Sequence, residues 1–268
     1  MFKRNALFIL ALLIVILSAA AFLMRQSGKS GTDAHLLNYT EPKTGMEFVL
    51  VKGGCFDMGD TFGVGYGEER PVHRVCVGDF YISKNVTTQA QWQAIMGTNP
   101  TYFQYCGLNC PVVDVSWEDV QRFIVLLNQY SAHPFRFPTE AEWEYAARSG
   151  GRQEEWAGTS NLAELDFFAW HSRNSDLRLH PVGQKKRNGL GIYDMTGHVW
   201  EWVADWYDSR YYSYSPKDDP QGPKSGINRV CRGGSFRQVP GHMRASYRNA
   251  ERPDHRSHDK GFRLAQTP

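Results

Sequence analysis

The chain has 268 residues, of which 41% are hydrophobic and 22% charged, a composition that excludes a mainly disordered, collagenous or multi-span membrane protein. Its 30 Lys and Arg residues against 28 Asp and Glu give a formal net charge of +2, and four of those bases but no acid lie in residues 1–30. The remainder is therefore slightly negative, which argues against a nucleic-acid partner, because binding phosphates requires basic surface.

The N-terminus predicts export. Lys3 and Arg4 precede an apolar run over residues 6–24 that only Ser18 interrupts. At about 1.5 Å per residue, a helix over this run nearly crosses a hydrocarbon core of about 30 Å. Two interpretations stay open: a signal peptide cleaved after the small residues 19–21, or an uncleaved membrane anchor. A buried core helix is disfavoured by the two leading bases and by the uncharged run that follows them.

These features predict three regions. Residues 1–24 are a signal peptide or a membrane anchor, residues 25–44 are a polar tether, and residues 45–266 form one folded domain. In both interpretations the domain lies outside the cytoplasm, in the periplasm or another extracytoplasmic space. An uncleaved anchor would make the inner membrane a partner.

Five cysteines suit an oxidising compartment. Cys55 and Cys76 lie in strand-like stretches, and a hairpin-like pairing would join them and stabilise the fold by about 3 kcal/mol in the chain-entropy model. Cys106 and Cys110, in CGLNC, are close enough in sequence for a disulfide that closes a turn. Half of a metal site is the alternative for this second pair, but a set of four well-spaced ligands is missing. Cys231 is predicted to be a free thiol.

Three helices are predicted from capping signals. Thr87 or Thr88 precedes QAQWQAIMG, which ends at Gly97. Ser116 and Asp119 form the ends of a capping box before an apolar face with i, i+3, i+4, i+7 spacing. A third helix begins after Thr139, with Glu142 in the reciprocal capping position, and ends at glycines 150 and 151. After residue 151, no long stretch has apolar residues at helical spacing. The sequence pattern by itself predicts a single α+β domain with much irregular backbone.

Several ordered segments carry a family resemblance. They are GMEFVLVKGGCFDMGD (45–60), RPVHRVCVGDFYISKNVTTQAQW (70–92), CPVVDVSWEDV (110–120), FRFPTEAEWEYAAR (135–148), HPVGQKKRNGLGIYDMTGHVWEWVADW (180–206), RVCRGGSF (229–236) and GFRLA (261–265). In this order they resemble the formylglycine-generating enzymes, or sulfatase-modifying factors, over about 45–265. The resemblance implies one α+β domain related to C-type-lectin-like folds.

The same resemblance bears on activity. In the archetypal enzymes of this family, two cysteines after the RGGS segment bind copper and oxidise a client cysteine to formylglycine. Here Gln238 and Met243 occupy those two positions. Neither side chain is a thiolate, the ligand that suits Cu(I), so bound copper is not expected. The sequence favours a binding or accessory module for a protein or glycan in the cell envelope. The alternative is an oxidoreductase or maturation enzyme with altered site chemistry.

A calcium site is implied by the segment DMTGHVWE. The resemblance assigns as ligands the carboxylates of Asp194 and Glu201 and the backbone carbonyls of Gly197 and Val199, hard oxygen donors of the kind that Ca²⁺ prefers. Its role would be structural. The alternative is that Asp194 caps a turn and that Glu201 pairs with a buried arginine.

Two histidines and a basic segment remain. His198 stands where the family motif usually has Asn, and it is either a metal ligand or base, or a satisfied, partly buried side chain. His242 lies beside Met243 and, with Gln238, is a candidate lining of a small pocket. The basic residues within 229–263 are predicted to pair with acids such as Glu140, Glu142 and Glu144. Binding of an anionic ligand is the alternative for Arg244, Arg248, Arg252, Arg256 and Lys260.

Overall fold

The structure, a computed structural model, describes residues 38–268. Its strands are β1 (Asn38–Thr40), β2 (Glu47–Val51), β3 (Gly54–Met58), β4 (His73–Val77), β5 (Phe80–Ser83), β6 (Phe135–Arg136), β7 (Trp200–Trp206), β8 (Arg229–Arg232), β9 (Asn249–Glu251), β10 (Lys260–Phe262) and β11 (Ala265–Gln266). The α-helices are α1 (Gln89–Met96), α2 (Trp117–Leu127), α3 (Glu140–Ala147) and α4 (Leu165–Phe168). Short 3-10 turns and irregular backbone connect them.

The strands form three sheets. One has the order β1-β2-β5-β11-β6, the second β10-β7-β8-β9, and the third is the β3-β4 hairpin. The β7 strand pairs in parallel with β10 and antiparallel with β8, so that residues near 200, 230 and 260 become neighbours. This mixed helix and sheet architecture confirms the predicted α+β class.

The first three helices begin where the capping signals place them. Thr88 rather than Thr87 caps α1, and Ser116 and Thr139 cap α2 and α3. In each, the cap side chain accepts the backbone N–H three residues on, and the Gln or carboxylate side chain there accepts the cap N–H. These reciprocal bonds satisfy donors that the first helical turn cannot pair internally.

Helix α3 lies at the centre of the domain. All eight of its residues are buried, including three glutamates. Trp143 and Ala146 belong to the main hydrophobic cluster, which also takes side chains from β2 to β5, β7 and β8. Burying charged residues in this position requires ionic partners from elsewhere in the chain. The helix therefore organises the polar interior as well as the apolar core.

Both predicted disulfides are present. Cys55 and Cys76 are direct partners across the β3-β4 hairpin, and their sulfurs are bonded. Cys106 and Cys110 are bonded four residues apart. Cys231 is a free, buried thiol on β8. Antiparallel pairing explains the first bridge, because it sets the two Cα atoms directly opposite each other.

The predicted N-terminal regions are described only in part. Residues 1–37, which include the predicted signal or anchor segment, lie outside the described residues. Residues 38–44, assigned to the tether by the sequence, form β1 and a turn in which Glu41 accepts the N–H groups of Lys43 and Thr44. From residue 38 onward, the structure contains no helix long and apolar enough to cross a membrane. Residues 40–268 form one compact unit.

Candidate functional site

Two glycine-rich turns bring the candidate site together. After β8, Gly233 and Gly234 adopt φ values of 91° and 75°, and Gly197 adopts 71°. A Cβ on Gly234 would lie 2.5 Å from Cγ of Met243, and one on Gly197 would lie 2.2 Å from the carbonyl oxygen of Trp170. Only glycine allows both the left-handed backbone and this approach. The Gly197 N–H then donates to the Gly233 carbonyl at 2.8 Å, joining the two segments.

The two positions that the family resemblance assigns to copper-binding cysteines have different environments. Met243 is fully buried and packs with Trp156, Leu165 and Ala169. Gln238 is half-buried, and its Oε1 lies 3.1 Å from His242 Nδ1. An amide and a thioether in an apolar cluster do not provide the anionic sulfur pair that holds Cu(I). The residues present at these two positions therefore do not fit the family's copper site.

Cys231 does not supply a substitute thiolate. It is 0% exposed on β8, and burial raises its pKa to about 12. A thiol must ionise to act as a nucleophile or a soft metal ligand. At neutral pH this side chain is a small apolar core residue, and the prediction that Cys231 is a free thiol is confirmed.

An aromatic surface surrounds His242. The Tyr66 hydroxyl lies 3.4 Å from His242 Nε2, and the ring centroids of Tyr247 lie 5.8 Å from Tyr66 and 5.1 Å from His242. Trp200 is buried, and its ring centroid lies 5.8 Å from that of Tyr247. We call Tyr66, Trp200, His242 and Tyr247 the aromatic rim. Its members come from three distant segments, and only His242 was a candidate from the sequence.

Buried ion pairs hold the rim in place. Below Tyr66, Glu69 accepts hydrogen bonds from Arg244 and from the Ser246 hydroxyl. Arg244 also lies 5.9 Å from the rings of both Tyr66 and Tyr247. Glu69 follows Tyr66 by three residues, and its Oε1 also accepts the Tyr66 N–H. The Glu69–Arg244 pair therefore anchors the loop that carries the exposed Tyr66 ring. The rim is thus attached to the protein interior by charge-assisted bonds, which are stronger than neutral ones.

The predicted pairing of the basic segment is confirmed in part. Arg248 forms a bidentate pair with Glu140, at 2.7 and 2.9 Å, and Arg232 bridges Glu140 and Glu144. Burial opposes ionisation of Glu140, but these two guanidinium groups outweigh it and hold its pKa below the ordinary value. The third acid named in the prediction, Glu142, pairs instead with Arg136, outside the basic segment. The remaining basic residues of the segment pair with other acids: Arg244 with Glu69, Arg252 with Asp254, Arg256 with Asp119 and Lys260 with Glu251.

Asp194 lies in a turn with an unsatisfied oxygen. Its Oδ2 accepts the Gly183 N–H at 2.8 Å and lies 3.7 Å from His198 Nδ1, whereas Oδ1 is buried and has no hydrogen-bond partner within residues 38–268. Burial would raise the pKa of Asp194, but the neighbouring His198 and the bond from Gly183 lower it overall. His198 is fully buried, with Nε2 2.9 Å from the His180 carbonyl oxygen. An orphaned carboxylate oxygen costs free energy unless a cation or a donor fills the space beside it.

The other predicted calcium ligands divide into two kinds. The carbonyls of Gly197 and Val199 accept no backbone hydrogen bond from the described residues. Glu201, in contrast, accepts two bonds from Arg263, at 2.7 and 2.8 Å, and one from Trp143 Nε1 at 2.6 Å. This pairing of Glu201 with a buried arginine is the one that the sequence analysis gave as the alternative to calcium binding.

Two carboxylate oxygens of the predicted donor set retain unused lone pairs. Oε1 of Glu201 receives one donor and retains a lone pair, and Asp194 Oδ1 receives none. No three His, Cys, Asp or Glu side chains within residues 38–268 are grouped to hold a metal ion. A cation here would therefore be held largely by backbone carbonyls, as is common for Ca²⁺.

Comparisons with known proteins agree with this architecture. A family model described as the sulfatase-modifying factor enzyme 1-like domain matches residues 34–268. A Streptomyces coelicolor protein named formylglycine-generating enzyme is 30% identical, over 84% of this chain and 90% of its own length.

Two solved structures share the fold over nearly their whole length. Treponema denticola variable protein 1 superposes with a TM-score of 0.78 at 30% identity, covering 86% of this chain and 98% of that one. PvdO from Pseudomonas aeruginosa gives a TM-score of 0.73 at 25% identity with the same coverage. The family model covers most of the chain, and this protein therefore belongs to the sulfatase-modifying factor enzyme 1-like family.

Proposed function

We propose that this protein is a binding or accessory module of the cell envelope and does not generate formylglycine. One observation carries the proposal: the two positions of the copper-binding cysteines hold a half-buried amide, Gln238, and a fully buried thioether, Met243. The free thiol of the described chain, Cys231, is buried with a pKa of about 12. No ionised sulfur is available to bind Cu(I) or to form a disulfide with a client cysteine.

The aromatic rim is the proposed contact surface for a protein or glycan partner. Tyr66 is 49% exposed and Val239, beside Gln238, is 46% exposed. Tyrosine presents a large apolar ring and a hydroxyl at low conformational cost, which explains its enrichment in binding surfaces. The Glu69–Arg244 pair holds the Tyr66 loop before binding, so less ordering entropy is lost on association.

Two further properties belong to this proposal. The first is export, with residues 1–24 as a cleaved signal or a retained inner-membrane anchor, because the apolar run and its leading bases have the pattern of such segments. The second is a structural Ca²⁺ held by Asp194, Gly197, Val199 and Glu201. The buried, unpartnered Asp194 Oδ1 supports it.

The test is an assay for formylglycine. A peptide containing CxPxR is incubated with the protein, copper, oxygen and a reductant, and its mass is measured. We expect no loss of about 18 Da, the change for converting the CH₂SH group to CHO, because no thiolate pair is present. The Streptomyces coelicolor relative serves as the positive control. Conversion of the peptide by this protein would overturn the proposal.

A double variant sharpens the assay. Gln238→Cys with Met243→Cys places thiols at both positions, and we expect it to retain Cu(I) through gel filtration while the parent protein does not. Cys231→Ser in the same background is the matched control, because it removes the buried thiol and leaves the new pair. Copper held by the parent protein and lost in Cys231→Ser would show that the buried thiol takes part after all.

An altered enzyme is the second candidate. The contact of His242 with both Gln238 and the Tyr66 hydroxyl favours it, because an imidazole between an amide and a phenol can bind a metal or transfer a proton. Metal analysis of protein purified from an oxidising compartment separates the two functions. One tightly bound copper or iron per chain would favour the oxidoreductase or maturation enzyme, and calcium alone would favour the module.

A further inference from the structure

A second exposed surface is built around the loop closed by Cys106 and Cys110. Tyr102 is 73% exposed, Tyr105 59% and Leu108 54%. Leu177, in a turn, is 57% exposed, and the guanidinium of the next residue, Arg178, lies 5.7 Å from the Tyr105 ring. Monomeric proteins rarely cluster large apolar side chains in this way without a partner. We call this surface the Tyr102 patch and define it as Tyr102, Tyr105, Leu108, Leu177, Arg178 and Arg237.

The patch is rigid. The disulfide closes the loop, and the carbonyls of Leu108 and Asn109 accept backbone N–H groups from Ala90 and Val182, both at 3.0 Å. Phe103 lies beneath it, with its ring centroid 5.5 Å from Tyr102 and 6.2 Å from Phe236. The exposed side chains are therefore held outward, and binding them costs little ordering of the loop.

The turn that presents Leu177 is strained. Asp176 and Leu177 both have a φ of 54°, a left-handed conformation that is unfavourable for a residue with a Cβ. The Ser175 hydroxyl accepts the Leu177 N–H at 3.1 Å and stabilises the turn. Strain of this kind persists where the surroundings enforce it, and it is concentrated at functional positions.

Two unpaired cations flank the aromatic rings. The Arg178 guanidinium lies 5.7 Å from the Tyr105 ring, and that of Arg237 lies 5.9 Å from the Phe103 ring. Neither forms an ion pair with a described residue. Two acids lie nearby: Asp114, whose side chain is 15% exposed, accepts the Tyr102 N–H, and Asp176 is exposed. The patch therefore presents two exposed guanidinium groups beside tyrosine rings and leucine side chains.

We propose that the Tyr102 patch rests on the surface of an anionic lipid bilayer. Tyrosine rings concentrate at the level of lipid headgroups, leucine side chains enter the acyl boundary, and arginines are attracted to anionic lipids. A protein partner is the alternative occupant, and the labelling experiment below distinguishes it from lipid.

The short segment between the proposed anchor and the domain also favours the bilayer. The inference depends on the proposed membrane anchor at residues 1–24. Residues 25–37 can span at most about 45 Å when extended, so an anchored domain remains close to the lipid surface. Such tethering supplies an effective concentration in the millimolar range, which makes weak surface contacts productive. Because the chain after residue 30 has a slight negative charge, general electrostatic attraction would not by itself produce this contact.

The experiment uses the full chain reconstituted into vesicles. One set contains phosphatidylcholine alone, and the other contains equimolar phosphatidylcholine and phosphatidylglycerol. Hydroxyl-radical labelling followed by mass spectrometry reports the exposure of Tyr102 and Tyr105. Tyr214, which is 57% exposed and lies outside the patch, is the internal reference. We expect labelling of Tyr102 and Tyr105, relative to Tyr214, to fall in the anionic vesicles only.

Charge-reversal variants test the cause. Arg178→Glu with Arg237→Glu should abolish the protection, because two arginines at an anionic leaflet change the binding equilibrium about thirty-fold, or about 2 kcal/mol. Arg187→Glu with Arg210→Glu makes the same charge change at exposed sites outside the patch and should leave the protection unchanged.

Three results would overturn the inference. Equal labelling in both vesicle types would show that the patch does not contact anionic lipid. Protection of the patch in lipid-free detergent would show that protein covers it instead. Loss of the chain from neutral vesicles in a flotation assay would remove the anchor on which the inference depends, and this outcome is distinguishable because it precedes the labelling step.

Discussion

Replacing Glu201 by Gln tests the pairing that links β7 to the C-terminal strands. Both carboxylate oxygens bind Arg263, at 2.7 and 2.8 Å, and the two side chains are 1% and 0% exposed. The variant keeps the shape and an acceptor oxygen for Trp143, but it leaves the buried guanidinium charge without its bidentate counter-ion. Arg263 would still donate to the carbonyls of Ser83 and Tyr193, so the loss comes mainly from charge and not from missing hydrogen bonds.

The expected loss of stability is large. Removing one partner of a buried ion pair costs about 3–5 kcal/mol. For a domain of this size, each kcal/mol lowers the melting temperature by about 2–4 °C, so Glu201→Gln should melt about 6–20 °C below the parent protein. Urea unfolding monitored by tryptophan fluorescence, under conditions that preserve the disulfides, measures the free energy directly.

An exposed pair provides the control. Lys52 and Asp79 form an ion pair at 2.9 Å with side chains 71% and 45% exposed. Asp79→Asn should lower the stability far less than Glu201→Gln, because solvent screens this pair. If Glu201→Gln loses no more stability than Asp79→Asn, the buried pair is not an essential element of the domain and the reasoning is refuted.

Three other predictions concern metal, disulfide and pH. Chelation should lower the melting temperature by several degrees through loss of ligand binding to the native state, and Asp194→Ala should abolish that dependence; identical melting curves with calcium and with chelator would refute the cation site. Replacing both Cys55 and Cys76 by Ser should cost about 3 kcal/mol in a denaturant titration, because their loop spans 21 residues. Burial and the charge of Glu140 raise the pKa of Asp205 to about 8. The unfolded carboxyl ionises near its ordinary value of 3.8, so its contribution to stability is lost as pH rises from about 4 to about 8. Asp205→Asn should therefore gain stability relative to the parent over that interval, and a pH-independent difference between the two would contradict this assignment.

The rim and the patch differ in what they require of a ligand. The aromatic rim contacts Gln238 through His242 and is supported by buried ion pairs such as Glu69–Arg244. The Tyr102 patch is supported by a disulfide and backbone bonds and carries the unpaired charges of Arg178 and Arg237. Variants in one surface should therefore leave the other unchanged, which allows partner binding and lipid contact to be measured separately.

Local chemistry was predictable from the sequence. Thr88, Ser116 and Thr139 begin helices because a side chain and a backbone N–H three residues apart satisfy each other without help from the rest of the chain. The Cys55–Cys76 bridge followed from two strand-like stretches that a hairpin-like pairing brings together, 21 residues apart in the sequence. Gln238 and Met243 were identified from the family resemblance, by their spacing from the RGGS segment.

Long-range partners were decided by the tertiary structure. Glu201 meets Arg263 across 62 residues, Glu69 meets Arg244 across 175, and Tyr66 meets His242 across 176. The sequence contains many acids and bases at suitable spacings, and local preferences do not distinguish among them. The choice depends on which strands become neighbours, here the parallel β10-β7 pair and the antiparallel β7-β8 pair, because a buried charge is stable only where the fold places its counter-ion.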